Sequence, residues 1–248
     1  VPAHAADCAR PVPLRFEVTA KIVRSEVGFT QGLEWRDGKL YESTGAIGGH
    51  SGLATISPDG KVTRLRDDGT RYFGEGLTIL NDEMYQLTWQ EHDVFVYDLN
   101  GTLKRTMRNP REGWGLTNDG ASLIFSDGSP SFYFADPKTF AITREVKIKT
   151  DKPGETVGLN ELELIDGKLY GNLFQTLTIV RIDPASGCIE ASANMGSLWR
   201  SFTDADKKQV TSEENVLNGI AYDAASKLFY VTGKRWRTIF VGKFSETK

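Results

Sequence analysis

Five stretches of this chain follow one local grammar, and that repetition limits the folds open to it more than any other feature. They are "TQGLEWRDGKLYESTG", "GEGLTILNDEMYQLTW", "GWGLTNDGASLIFSDG", "NELELIDGKLYGNLFQ" and "NGIAYDAASKLFYVTG". Each opens on small or polar residues, then carries an aliphatic marker: Leu33, Leu77, Leu116, Leu162 and Ile220 in turn. A polar turn follows, and then a second run with an apolar or aromatic pair such as Leu40-Tyr41 or Phe229-Tyr230. The markers stand 44, 39, 46 and 58 residues apart. A period of about 40–50 residues is that of four-stranded propeller blades. The fold expected is therefore all-β, a five-bladed β-propeller; a separate β-sandwich would not need five equivalent units.

The longest step contains "EASANMGSLWRSFTDADKKQVTSEENV", expected as an inserted loop or short helix over one face. The last repeat runs out of chain after about three strands, while "LRFEVTAKIVRS" near the start alternates like a strand. It is expected to complete the last blade from outside, which removes an exposed edge. On this reading residues 1–13 form an N-terminal arm and residues 14–248 a single domain, expected to be a monomer.

Composition excludes some functions. A net charge of −3 supplies no basic stripe for nucleic acid. No apolar run reaches the roughly 20 residues of a membrane helix. "VPAHAADCARPVP" reads like the region around a secretory cleavage site, so a periplasmic or secreted, bacterial setting is expected. In that setting Cys8 and Cys188 are expected to form a disulfide pinning the arm; two free buried thiols are the alternative.

Equivalent repeats place their openings at equivalent positions, around one mouth of a central channel. Those openings carry Phe29, Gln31, Phe73, Glu75, Trp114, Asn160, Glu161 and Asn218, and the ends of second strands add Trp89, Phe174 and Lys234. Glu75 is read as lying in a tight glycine turn, its flanking glycines leaving room for a substrate. Taken singly, Lys234 has a bland reading as a solvated cation and Gln31 as a channel-mouth amide, and the convergence argues otherwise for these. Arg235 and Arg237 are expected as solvated cations and Trp236 as inter-blade packing. His4, His50 and His92 are scattered, so metal catalysis is not expected. "GGHSG" misses the spacing of a nucleophile elbow, and no phosphate-binding glycine loop is present. What remains suits proton handling and charge stabilisation without an enzyme nucleophile.

The motifs "FTQGL", "FGEGLT", "QLTW", "GWGLTNDG", "NELE", "VLNGIAYD" and "VTGKRW", in order from Phe29 to Trp236, resemble those of glutaminyl cyclases of the plant and bacterial type. The resemblance implies a five-bladed propeller that converts the N-terminal glutamine of peptides or proteins to pyroglutamate without a catalytic metal. It implies catalytic roles for Glu75, Asn160 and Lys234 and a substrate-binding role for Gln31. Phe29, Phe73, Trp89 and Trp114 become pocket walls, with Phe174 where the family often has tryptophan. It also allows a structural calcium in the channel. Two other functions are carried forward: a calcium-dependent lactonase and a non-enzymatic peptide-binding propeller.

Overall fold

The repeated hairpins turn where their sequences permit it. Asp37-Gly38, Asn81-Asp82 and Asp166-Gly167 all take positive φ, between 50° and 81°. Two-residue turns of this kind match the twist of the strands they join, and Asp, Asn and Gly tolerate them best.

The computed structural model describes residues 8–47, 49–152, 155, 157–210 and 216–247. The export-like residues 1–7, Gly48 of "GGHSG" and residues 211–215 of the insertion lie outside the described residues. Strand β1 (Val12–Val23) opens the chain. Next come β2 (Phe29–Arg36), β3 (Lys39–Gly45), β4 (Ser51–Ile56) and β5 (Val62–Gly69), paired in that order into one antiparallel sheet. A second sheet contains β6 (Gly74–Leu80), β7 (Glu83–Thr88), β8 (Asp93–Tyr97) and β9 (Leu103–Arg108). A third contains β10 (Leu116–Asn118), β11 (Leu123–Ser126), β12 (Ser131–Ala135) and β13 (Ile142–Lys147). The fourth run is β14 (Leu159–Ile165), β15 (Lys168–Leu173), β16 (Thr178–Ile182) and β17 (Ile189–Asn194). The last is β18 (Leu217–Asp223), β19 (Leu228–Gly233) and β20 (Thr238–Glu246).

Strand β1 pairs antiparallel with β20 along most of its length, as the outer member of the final run. It also pairs in parallel with β17 through Val12–Leu14, which joins the last two runs into one eight-stranded sheet. Cys8 is disulfide-bonded to Cys188 just before β17 and holds the arm at this junction. The insertion begins later than the sequence suggests, because Ile189–Asn194 is strand. A 3-10 helix at Met195–Ser201 and an α-helix at Asp204–Val210 follow it.

The apolar core lies between sheets. Five clusters each draw on two neighbouring runs: Leu87 and Phe125 meet in one, Ile124 and Leu162 in another. Adjacent residues Ile124 and Phe125 serve opposite clusters because side chains alternate along a strand. First strands contact first strands, β2 with β6, β6 with β10, β10 with β14, β14 with β18 and β18 with β2, so these five close a ring. Arg24, fully buried beyond β1, donates to Glu42 Oε1 and to the Trp236 carbonyl, tying β1 to β3 and to the turn after β19.

Candidate active site

The same irregularity recurs on four of the ring strands. Pairing slips between Thr30 and Gly32 on β2, Gly74 and Leu77 on β6, Leu159 and Leu162 on β14, and Leu217 and Ile220 on β18. The residues in these bulges are Gln31, Glu75-Gly76, Asn160-Glu161 and Asn218-Gly219. A bulge breaks strict alternation and re-aims a side chain. Glu75 thus lies within strand β6 rather than in a turn, and burial leaves it 5% exposed.

Its glycines have another task than the one expected from sequence. A Cβ on Gly76 would stand 2.4 Å from the backbone nitrogen of Leu116, and one on Gly74 would meet Thr44 O and Ser51 Oγ. Both glycines make room for protein, so the clearance is for neighbouring strands rather than for substrate.

Phe29, Gln31, Phe73, Glu75, Trp89, Trp114, Asn160, Phe174 and Lys234 all line one cavity of about 360 Å³. Ile47, Gln175 and Val216 complete the lining. No sequence signal marks Ile47 or Val216; Gln175 directly follows Phe174. Glu161 and Asn218, named from the same strand openings, are not among the lining residues. Asn218 Nδ2 donates to Gln31 Oε1 (3.1 Å), and Gln31 Nε2 donates to Glu75 Oε1 (3.1 Å). This chain fixes which end of the Gln31 amide faces the carboxyl.

Burial pushes the Glu75 carboxyl well above the usual carboxylate range. The charge of Lys234 pulls it back, and those of Glu91 and Glu112 push it further up. Lys234 is itself 5% exposed, its Nζ 5.0 Å from the ring centre of Phe29 and 5.4 Å from that of Phe174. At such distances a ring face attracts a cation. Asn160 Oδ1 is buried without a hydrogen-bond partner among the described residues. An acceptor left so costs about 1–3 kcal/mol, which a bound donor would recover.

The aromatic walls brace one another edge to face: Phe29 on Phe73, Phe73 on Trp89, and Trp114 on Phe174. Glu112 holds two of them. Its Oε2 accepts from Nε1 of Trp89 (2.9 Å) and of Trp114 (3.2 Å), and its Oε1 accepts from Gln90 Nε2 (3.1 Å). Burial pushes the Glu112 carboxyl up, but the bonds from Trp114, Gln90 and Trp89 outweigh it and hold it below the usual range. Sequence reading missed this residue; its place two before Trp114 is the only hint the chain offers.

Lys234 and Arg235 are not the solvated cations of the bland reading. Arg235 is half-buried, with Nη2 donating to the Ile47 carbonyl (2.6 Å). Arg237 is exposed, and Trp236 is buried against Phe202 and Phe240, as packing.

The carboxyls a channel calcium would meet are those of Glu34, Glu161 and Glu163, where burial and the charges of Glu34 and Glu161 push the Glu163 carboxyl up. Both Glu161 oxygens already accept backbone N–H groups, from Leu33 (3.3 Å) and Ile220 (2.8 Å). Among the described residues no three His, Cys, Asp or Glu side chains gather to ligate an ion. Each Glu161 oxygen keeps a second acceptor site, and no step below passes through an ion.

Comparison with known proteins gives a consistent result. A family model described as glutamine cyclotransferase matches residues 2–244. A glutaminyl-peptide cyclotransferase of Arabidopsis thaliana is 34% identical over 233 residues, which is 93% of this chain and 71% of that protein. The crystal structure of Myxococcus xanthus glutaminyl cyclase superposes with a TM-score of 0.84 at 31% identity, covering 96% of this chain and 100% of that one. The WD40 beta propeller domain of Doa1 shares the fold alone, with a TM-score of 0.50 at 10% identity over 87% of this chain and 63% of that one.

Proposed function

We propose that this chain, which belongs to the glutamine cyclotransferase family, performs its chemistry through Glu75, Asn160 and Lys234. The chain is an enzyme that cyclises the N-terminal glutamine of peptides and proteins to pyroglutamate, releasing ammonia. The observation carrying the residue assignment is that a buried carboxyl, a carboxamide and an ammonium group share one aromatic cavity.

The substrate brings its own nucleophile and electrophile, so much of the proximity advantage is intrinsic. Its α-amine must be neutral to attack, and with a pKa of about 7.7–8.0 an appreciable share is neutral near pH 7. The amine nitrogen bonds to the carbonyl carbon of the γ-carboxamide, and Glu75 takes the proton that nitrogen sheds. The bond from that carbonyl carbon to the amide nitrogen then breaks, and Glu75 returns the proton to the leaving group, which departs as ammonia. A carboxyl raised by burial suits both halves of this transfer, since a shuttle works best with a pKa near the working pH.

Lys234 Nζ and Asn160 Nδ2 donate to the γ-oxygen as negative charge gathers on it. Asn160 Oδ1, lacking a partner in the cavity, accepts from the substrate's γ-NH₂ and so favours glutamine over glutamate. Gln31 aims Glu75, and the aromatic walls exclude water.

The ring of first strands, with its five interleaved clusters, supports a five-bladed propeller over residues 14–248 in which β1 is the outer strand of the last blade. Every residue named comes from one chain, so a monomer suffices. The Cys8–Cys188 disulfide supports an oxidising, secreted or periplasmic setting. The test is a coupled ammonia assay on a short glutamine-starting peptide, its α-acetylated form and a chelator-treated sample. Ammonia is expected only from the free amine, with or without chelator. Release from the acetylated peptide would indicate an amidase, loss on chelation a metal-dependent reaction such as the calcium-dependent alternative needs, and tight binding without ammonia a recognition module.

A further inference from the structure

The cavity continues beyond its own lining. Gln175 and Val216 are shared with a second recess of about 220 Å³, whose other faces include Leu177, Leu198, Trp199 and Trp236. The 3-10 helix at Met195–Ser201 builds its floor. The Asn194 side chain caps that helix at Gly196 N (2.8 Å), and Met195 and Leu198 anchor it by burial. Trp199 sits edge-on to Phe202, which in turn sits edge-on to the buried Trp236. Yet Trp199 and Leu177 are each 44% exposed.

Exposed apolar surface is concentrated here. Of eight large hydrophobic side chains left exposed among the described residues, five line this recess or the cavity: Ile47, Trp89, Phe174, Leu177 and Trp199. Contiguous apolar surface of this kind marks a binding site rather than chance exposure. Two other recesses that border the cavity among the described residues carry charged side chains: one has Glu26, Arg64 and Arg235, the other Arg111, Glu112 and Asp127. A peptide whose first residue fills the cavity must lead its second residue out past one of these walls. Of these three recesses among the described residues, the one beyond Gln175 and Val216 is lined by no charged side chain.

We propose that this recess receives the side chain following the N-terminal glutamine, and that Trp199 and Leu177 select apolar, above all aromatic, residues there. The inference rests on cyclisation of glutamine-starting peptides in the adjoining cavity. Trp199 offers a flat, braced indole against which a second ring can stack, and such pairs add to the area they bury. An acidic side chain would gain nothing from the recess.

The experiment compares kcat/KM for Gln-Phe, Gln-Leu, Gln-Gly and Gln-Glu peptides of equal length. Gln-Phe should exceed Gln-Gly by about tenfold or more, the scale a hydrophobic pocket supplies. Trp199→Ala and Leu177→Ser should each bring Gln-Phe toward the Gln-Gly value while leaving Gln-Gly turnover and the melting temperature unchanged. Equal values for the two peptides in the wild type, or an advantage that survives both substitutions, overturns the assignment. Calorimetric titration with pyroglutamyl-Phe and pyroglutamyl-Gly amides keeps this separate from the chemistry. Tighter binding of the Phe product, lost in Trp199→Ala, supports the recess even where no peptide is turned over; that failure would fall on the catalytic reading alone. Equal affinity for the two products overturns the recess.

Discussion

Replacing Glu75 by glutamine should make the protein more stable above acidic pH while removing nearly all of its turnover. The carboxyl is buried, and its displacement to a high pKa is dominated by that burial, with Glu91 and Glu112 adding to it and Lys234 opposing. Since the net displacement is upward, the attraction of Lys234 does not compensate for what the ionised group loses by leaving water. In the unfolded chain the same carboxyl titrates near 4.3. The folded protein therefore holds a proton that the unfolded chain has released, and stability falls as pH rises toward and through the folded-state pKa. Below about pH 4.3 both states are protonated and the contribution is fully present. Glutamine has no charge to desolvate, and its amide oxygen can still accept from Gln31 Nε2. Each unit of displacement corresponds to about 1.4 kcal/mol, and a kcal/mol moves the melting temperature of a domain this size by about 2–4 °C. Melting curves of the two proteins should thus lie together near pH 4 and diverge as pH rises toward 8, with Glu75→Gln the higher. In the coupled ammonia assay the same variant should lose about 10²–10⁴-fold in kcat, the share of a positioned acid/base. A variant that melts below the wild type at pH 8, or keeps its rate within tenfold, would refute the reasoning.

Three further outcomes follow from the same geometry. Lys234→Ala should lower kcat by about 10²–10³-fold with little change in KM, as removal of one oxyanion donor does; an effect confined to KM would place Lys234 in binding only. Glu112→Gln removes a negative charge that raises the Glu75 pKa, so the acid limb of kcat/KM, where Glu75 becomes protonated and idle, should move to lower pH; an unmoved limb would show that Glu75 does not feel it. Replacing Cys8 and Cys188 by alanine should cost about 2–5 kcal/mol in denaturant unfolding, because the bond closes a loop of 180 residues, with kcat unchanged. Full stability in the double variant would mean the arm is held by the β1 pairings alone.

Much of this was legible in the chain because every repeat solves one packing problem with the same residues. The Asp-Gly and Asn-Asp turns fall where the hairpins need positive φ, and the aliphatic markers from Leu33 to Ile220 are the buried residues of the ring strands. Six residues placed at strand openings from sequence, and three placed at second-strand ends, line one cavity, because equivalent positions in a ring are neighbours in space. The bulges were not legible. A small or polar residue followed by glycine and leucine reads equally well as a turn or as an interrupted strand, and only the partner strand decides. The parallel contact of Val12–Leu14 with Ala191–Ala193 joins segments far apart in sequence and is carried by backbone groups, which leave no side-chain signature. Glu112 escaped for a different reason. Its value lies in two indole N–H groups whose convergence on one oxygen is a tertiary fact.

The glycines around Glu75 show how far the acid depends on the ring. Gly76 N donates to the Trp114 carbonyl at 2.6 Å, and any Cβ on Gly76 would press on backbone atoms of Trp114, Gly115 and Leu116. The bulge that aims Glu75 is thus clamped by the start of the next sheet, and β6 cannot shift without moving the acid. Gly76→Ala should then cost about 1–3 kcal/mol through overpacking and lower kcat along with it, since the strand must retreat from its neighbour. Gly38 provides the contrast. It sits at φ +81° with nothing within 4 Å of a built Cβ, so Gly38→Ala should cost about 1 kcal/mol from backbone strain and leave kcat alone. If both substitutions lowered stability alike and neither touched kcat, the aim of Glu75 would have to be set locally, by Gln31 and the cavity walls, and not by the docking of one sheet on the next.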